Sequence, residues 1–215
     1  MADFISYGKQ WISERDVRSV VDVLNSDYLT QGPKVKEFEA GLCNYTGARY
    51  CITVANGTAA LHLAVAALQI DQGSEGITTP ITFAASANCM LYNGITPRFA
   101  DINPQTYNIN PQDIIAQLSP QTKLLIPVHF SGLPAEMDQI SEIAKEHDLY
   151  VIEDAAHAIG SQYDDGSYVG NCKYSDMTIF SFHPVKTITT GEGGAITTNS
   201  RELFERLLML RSHGI

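Results

Sequence analysis

Apolar residues recur along the chain at helical and strand periods in alternation. Ser13 followed by Asp16 is a helix-start signature, and Val17, Val20, Val21 and Leu24 then repeat on one helix face until Asn25-Ser26. The loop Asp27-Tyr28-Leu29-Thr30-Gln31-Gly32 leads to a second helix from Pro33, with Val35, Phe38 and Leu42 on one side and the proline in the tolerated first turn. Tyr50–Val54 reads as a β-branched strand. It runs through Ala55-Asn56-Gly57-Thr58 into an alanine-rich helix reaching Leu68. The pattern then predicts strands over 77–79, 96–100, 123–128, 149–154 and 177–180, with helices over 83–92, 111–118 and 136–147. Strands and helices that alternate in this way predict an α/β sheet buried on both faces, with ligands beyond the carboxyl ends of its strands.

Composition narrows the class. The 215 residues are 44% hydrophobic and 18% charged, enough for one sizeable globular domain. A formal net charge of −10, with no Lys or Arg cluster, excludes a nucleic-acid surface. Cys43, Cys51, Cys89 and Cys172 lack C-x-x-C spacing, which predicts reduced thiols of a cytosolic protein and no metal site. The first residues show neither a basic segment nor an apolar one, and nothing approaches the roughly 18 apolar residues of a membrane span. The expected location is the cytoplasm.

The chemistry concentrates in Ser181-Phe-His-Pro-Val-Lys186-Thr-Ile-Thr-Thr-Gly191-Glu-Gly193-Gly194. A lysine between an apolar strand and a glycine-rich turn suits Schiff-base chemistry, for which pyridoxal phosphate is the commonest aldehyde. Ser181 offers a hydroxyl to a phosphate, and the glycines would let backbone approach a ligand. The strand-to-helix turn at Asn56, Gly57 and Thr58 is a phosphate cradle by type, with free backbone N–H groups at the positive end of a helix dipole. Asp154 ends a strand and suits a carboxylate that keeps the cofactor's ring nitrogen protonated; capping a following helix is the plainer role for it. His157 could hydrogen-bond near the ring hydroxyl, and Phe83 could stack on the ring.

The phrases Asn56-Gly57-Thr58-Ala-Ala-Leu, Thr79-Pro-Ile-Thr-Phe83-Ala-Ala-Ser, Glu153-Asp154-Ala-Ala-His157-Ala-Ile-Gly and Ser181-Phe-His-Pro-Val-Lys186 together resemble the DegT/DnrJ/EryC1/StrS sugar aminotransferases over nearly the whole chain. Within that family, Phe4-Ile-Ser-Tyr7-Gly, the loop 24–32 and Ile77-Thr-Thr-Pro-Ile-Thr-Phe83 are most similar to the pseudaminic-acid pathway transaminases. The resemblance implies a fold type I pyridoxal-phosphate-dependent transferase large domain with a mixed, mostly parallel sheet, working as a homodimer with sites at the subunit interface. It implies Lys186 as Schiff-base lysine and proton shuttle, Asp154 on the ring nitrogen, and Ser181 with the Gly57-Thr58 turn on the phosphate. Tyr7, Asp27, Tyr28, Leu29 and Thr30 would line the nucleotide-sugar side. The implied reaction moves an amino group from glutamate to a UDP-2-acetamido-2,6-dideoxy-4-keto-hexose. The resemblance also implies that residues 1–215 are the N-terminal, cofactor-binding part of a longer protein, without the family's smaller C-terminal domain or the partner subunit's asparagine to the phosphate, and that this part alone is inactive.

Other readings share the scaffold. Another 3- or 4-keto nucleotide sugar could be the acceptor. A sugar dehydratase of this type carries histidine in place of the lysine, against which Lys186 speaks, and a sensor would keep the fold without turnover.

Overall fold

The computed structural model describes residues 8–214. Among them, the elements run α1 (Glu14–Leu24), α2 (Pro33–Thr46), β1 (Tyr50–Val54), α3 (Gly57–Leu68), β2 (Glu75–Thr78), α4 (Ala85–Tyr92), β3 (Thr96–Phe99), α5 (Pro111–Gln117), β4 (Thr122–Leu125), a 3₁₀ turn (Phe130–Gly132), α6 (Met137–Glu146), β5 (Tyr150–Asp154), β6 (Met177–Ser181), β7 (Gly194–Thr198) and α7 (Arg201–Arg211). Seven strands form one sheet in the order β1-β7-β6-β5-β4-β2-β3. Only β7 runs against its neighbours, pairing antiparallel with both β1 and β6, so the sheet is mixed and mostly parallel.

Strand alternation divides the core into two layers. Cys51 of β1 and Leu125 of β4 pack with Leu42, Ile114, Ile140 and Ile143 beneath α2, α5 and α6. Their neighbours Ile52 and Leu124 face the other way, toward Leu61, Val65, Met90 and Leu207 of α3, α4 and α7. All of β6 and β7 is buried. Residues 177–180 therefore read as an apolar strand whose one polar member, Thr178, is satisfied inside the core by Glu153, as a strand covered on both faces requires.

The predicted α/β alternation is present with shifted ends. β4 ends at Leu125 instead of residue 128: Pro127 has no N–H to donate, and pairing with β5 resumes only as an isolated bridge between Val128 and Asp154. β7 and α7 have no counterpart in the pattern reading. The Gly194-Ala-Ile-Thr-Thr198 strand merges into the glycine-rich turn, and α7 announces itself only through the Ser200 cap and its Arg201–Glu205 and Glu202–Arg206 pairs. Helix α1 forms with its apolar residues uncovered. Its Ser13–Asp16 capping box forms as predicted, yet the helix buries nothing: Val17, Val20, Val21 and Leu24 are all exposed, Val20 at 61% and Leu24 at 62%.

The antiparallel insertion of β7 sets the end of the sheet where the predicted chemistry lies. Gly194 is paired with Val54 of β1 on one side and with Ser181 of β6 on the other. A Cβ at Gly194 would come within 2.4 Å of the Asn56 carbonyl oxygen and 2.9 Å of the Gly57 nitrogen. These obstacles are backbone atoms, which cannot rotate away as a side chain can. Gly194→Ala should accordingly lower stability by about 1–3 kcal/mol, as overpacking does, measured by denaturant unfolding; an unchanged midpoint would show that the turn can move off the sheet freely.

Candidate active site

The residues singled out in the sequence meet at the carboxyl ends of the parallel strands. Asn56, Gly57, Thr58, Phe83, Asp154, His157, Ser181 and Lys186 all line one cavity of about 420 Å³. A larger groove of about 710 Å³ opens at the opposite ends of the strands, beside Lys123, Tyr150 and Asp176. It gathers none of these groups, so size is a poor guide to chemistry in this molecule.

The turn into α3 is built as an anion cradle. Asn56 is the helix N-cap, its side-chain oxygen accepting from the Ala59 amide at 2.8 Å. That oxygen is thereby used, and what the turn offers a ligand is backbone: the Gly57 and Thr58 amides, at the first two helical positions, have no intrahelical acceptor. A Cβ on Gly57 would stand 2.9 Å from Ser181 Cβ and 3.2 Å from Ser181 Oγ, so only glycine lets the helix start seat against the end of β6. The glycines after Lys186 do a different job from the one predicted. Gly193 and Gly194 approach Thr190 and Asn56 of their own chain, with no side chain's width to spare, and so position the cradle instead of admitting a ligand.

Lys186 leaves the β6–β7 connection with its Nζ 2.7 Å from His157 Nε2. Burial lowers the Lys186 pKa, against the opposing pull of the Asp154 charge. Burial also lowers the His157 pKa, and the Lys186 charge adds to that effect while Asp154 opposes it. Asp154, 5% exposed, is held at both oxygens: Ser86 Oγ donates to Oδ2 at 2.6 Å, and the Ala156 amide donates to Oδ1 at 3.2 Å. No helix begins after Asp154 before β6, so the helix-cap role weighed for it does not apply. Phe83 stands on the rim, 76% exposed, two residues before α4 begins at Ala85 instead of opening that helix.

The structure does not bring the predicted sugar-side residues to this cavity. Asp27, Tyr28, Leu29 and Thr30 are exposed in the α1–α2 connection and line no part of it. Tyr7 lies outside the described residues.

Sequence reasoning passed over what lies behind the site. Glu153, next to Asp154 on the opposite face of β5, is fully buried, and its Oε2 meets His129 Nε2 at 2.8 Å and the Tyr163 hydroxyl at 2.6 Å. Ser175 and Thr178 donate to Oε1. Since the Ala135 amide donates to His129 Nδ1 at 3.1 Å, the ring's remaining proton on Nε2 points to Glu153. Burial alone would raise the Glu153 pKa, but the hydrogen bonds from His129, Ser175 and Tyr163 outweigh it and hold the pKa below the ordinary value of 4.5. Only the adjacency of Glu153 to Asp154 marked it in the sequence; its partners are scattered over 50 residues.

Comparison with known proteins agrees with this geometry. The profile of the DegT/DnrJ/EryC1/StrS aminotransferase family matches residues 10–215. The chain belongs to that family. It is 41% identical over 212 residues to the spore coat polysaccharide biosynthesis protein SpsC of Bacillus subtilis, covering 99% of this chain and 54% of SpsC. Among solved structures it is similar to Helicobacter pylori PseC, an aminotransferase of pseudaminic acid biosynthesis, at a TM-score of 0.93 and 36% identity, covering 97% of this chain and 56% of PseC. The Streptococcus pneumoniae sugar aminotransferase Spr1654 matches in its PLP and PMP forms at a TM-score of 0.92 and 31% identity, covering 98% of this chain and 58% of that one. The chain spans about half the length of the curated relatives it matches. Its sheet is that of the fold type I aminotransferases.

The Glu153 network generates a stability prediction. Because its folded pKa is depressed, its stabilising contribution is complete above the ordinary value of 4.5 and is lost as pH falls through the lower folded value. Glu153→Ala, which strips four donors of their acceptor, should cost about 3–5 kcal/mol at neutral pH in chemical unfolding, and the gap between the two proteins should narrow below pH 4.5. A gap constant with pH would mean that the carboxylate's charge contributes nothing.

Proposed function

We propose that this chain is the cofactor-binding domain of a pyridoxal-phosphate-dependent aminotransferase that moves an amino group from glutamate to a 4-keto nucleotide sugar. The observation that carries the reading is the meeting of a half-buried lysine amine, a carboxylate and a helix N-terminus in one cavity. The residues present fit the cofactor: the Gly57 and Thr58 amides with Ser181 for its phosphate, Asp154 for its ring nitrogen, Phe83 for its ring face and Lys186 for its aldehyde. His157 is the neighbour for the ring hydroxyl.

When bound, pyridoxal phosphate supplies an aldehyde that captures amines and a ring that withdraws electrons from the neighbouring carbon. The chain supplies the rest. Lys186, its pKa lowered by burial, keeps more of its amine as free base than a surface lysine does, and a free amine is the nucleophile. The same Nζ can take and return a proton, with His157 Nε2 at 2.7 Å to share it. Asp154 would favour a proton on the ring nitrogen by its charge, and the start of α3 would hold the phosphate through its free amides and dipole.

For the acceptor we propose a UDP-2-acetamido-2,6-dideoxy-4-keto-hexose in a pseudaminic-acid pathway. The similarity to PseC supports it, as do the loop phrases shared with that branch. A different keto nucleotide sugar is the competing reading, favoured by the similarity to SpsC and to DesI, a structure solved with its TDP-sugar product. We also propose that the protein acts as a cytoplasmic homodimer. Phe83 and Val185 are exposed apolar residues lining the cavity, which a second copy would cover. No helix among the described residues is long and apolar enough to cross a membrane. The sugar-side residues Asp27 to Thr30, away from the described cavity, would reach substrate only in that assembly.

The reading is tested with a full-length protein carrying this chain, mixed with glutamate and a panel of 3- and 4-keto nucleotide sugars; a visible cofactor band that glutamate fails to bleach would sink it. Borohydride reduction and peptide mapping should place the label on Lys186 alone, and Lys186→Ala should lose both label and turnover. Label on Lys173 would refute the assignment. Asp154→Asn should retain cofactor while turnover falls by at least about a hundredfold.

A further inference from the structure

Asp154 carries the electronic part of the proposed chemistry, and a buried hydroxyl outside the proposed cofactor contacts grips it from behind. Ser86 is fully buried in α4, its Oγ 2.6 Å from Asp154 Oδ2. Thr82 Oγ1 lies 2.7 Å from the same Ser86 Oγ, and Thr82 itself lines the cavity. The Phe83 carbonyl is a weaker alternative acceptor for Ser86, at 3.3 Å.

Proton counting orders these contacts. Ser86 has one hydroxyl hydrogen, and an ionised carboxylate only accepts. The 2.6 Å contact therefore takes that hydrogen in preference to the 3.3 Å contact, and Thr82, whose distance to Ser86 is also short, becomes the donor to Ser86. The chain runs in one direction, Thr82 to Ser86 to Asp154, and each donor is polarised by the one behind it. The Ala156 amide alone would leave the carboxylate a single anchor at Oδ1. With Ser86 on Oδ2, rotation of the carboxylate is fixed at both oxygens, and one face of the group is left for a ligand.

We propose that Ser86 is the positioning residue of Asp154, with Thr82 as its outer link from the cavity wall. The proposal rests on the aminotransferase reading for its consequence in turnover, whereas the hydrogen-bond chain itself lies within this chain. Ser86 is buried and does not line the cavity, so its loss should act on the rate and leave binding alone.

Two measurements separate the proposal from that reading. In protein without cofactor, infrared difference spectra between the parent and Asp154→Asn isolate the Asp154 carboxylate stretch; Ser86→Ala, referenced to its own Asp154→Asn double variant, should displace that band. Thr82→Val, at a partly buried position, should displace it less, and it carries the test if Ser86→Ala does not fold. In the full-length protein with pyridoxal phosphate, Ser86→Ala should lower kcat roughly tenfold with KM for glutamate and sugar within about twofold, the loss expected of one hydrogen bond to a charged group. Ser86→Thr, which keeps the hydroxyl, should recover most of kcat. An unmoved infrared band, a rise in KM at constant kcat, or equal losses in Ser86→Ala and Ser86→Thr would each overturn the proposal. A protein that binds no cofactor yet shows the displaced band would refute the aminotransferase reading and leave the Ser86 link standing.

Discussion

The site depends on how closely the start of α3 lies against the ends of β6 and β7. The sheet brings Ser181 and Gly194 side by side, and the Asn56–Gly57 backbone sits over them with no room for a Cβ at either glycine. That contact fixes the helix N-terminus relative to the strand that carries Ser181 and leads to Lys186. Helix dipoles act only over the first turn, so an anion must be held within a few ångströms of that turn to benefit. Close steric packing thus comes first, and the electrostatics follow from it. The turn that follows Lys186 works to the same end, closing back through Gly193 and Gly194 so that β7 can slip antiparallel between β1 and β6.

Consecutive acids at the end of β5 show how strand alternation assigns roles. Glu153 and Asp154 have the same charge and neighbouring positions, but the pleat turns them to opposite faces. Glu153 faces a closed layer where His129, Tyr163, Ser175 and Thr178 satisfy it, and it ties β4, β5, β6 and the 155–176 connection together. Asp154 faces the cavity, with two donors and capacity to spare. A buried carboxylate without partners would be expensive, and the first acid avoids that cost with neutral donors and a histidine that need not be charged. The rigidity it brings to the end of β5 is what the second acid needs in order to hold a fixed direction.

Much of this was legible in the sequence because the signals were local. The alternation of elements, the Asn56-Gly57-Thr58 turn and the placing of Asp154, Ser181 and Lys186 at or after strand ends each depend on a few adjacent residues, and each appears in the structure there. What escaped the sequence depends on contacts between distant segments. Ser86 reads as one hydroxyl in an apolar helix, and only the fold sets it against a residue 68 positions on. Glu153 gave no hint of its partners, nor Gly194 of the Asn56 carbonyl. The apolar period of α1 was real, but periodicity says only that a face wants covering, and among the described residues that face remains exposed. The loop 27–30 was assigned to the sugar by resemblance alone, without a physical signal of its own.

The Lys186–His157 contact adds a constraint that neither residue shows alone. At 2.7 Å, Nζ and Nε2 form a hydrogen bond only if one of them supplies a lone pair, so an ammonium and an imidazolium cannot both stand there. Burial works against both charges, the lysine charge works against that of the histidine, and Asp154 favours both. The balance leaves a pair that holds one bridging proton more readily than two. A lysine in that position is released as a free base more easily than one facing solvent, without needing a strong base beside it. The same pair can return the proton to Nζ when the amine has to leave. The histidine three residues after Asp154 is thus coupled to the lysine as well as available to a ring hydroxyl, and both functions come from its place on the turn that β5 makes over the cavity.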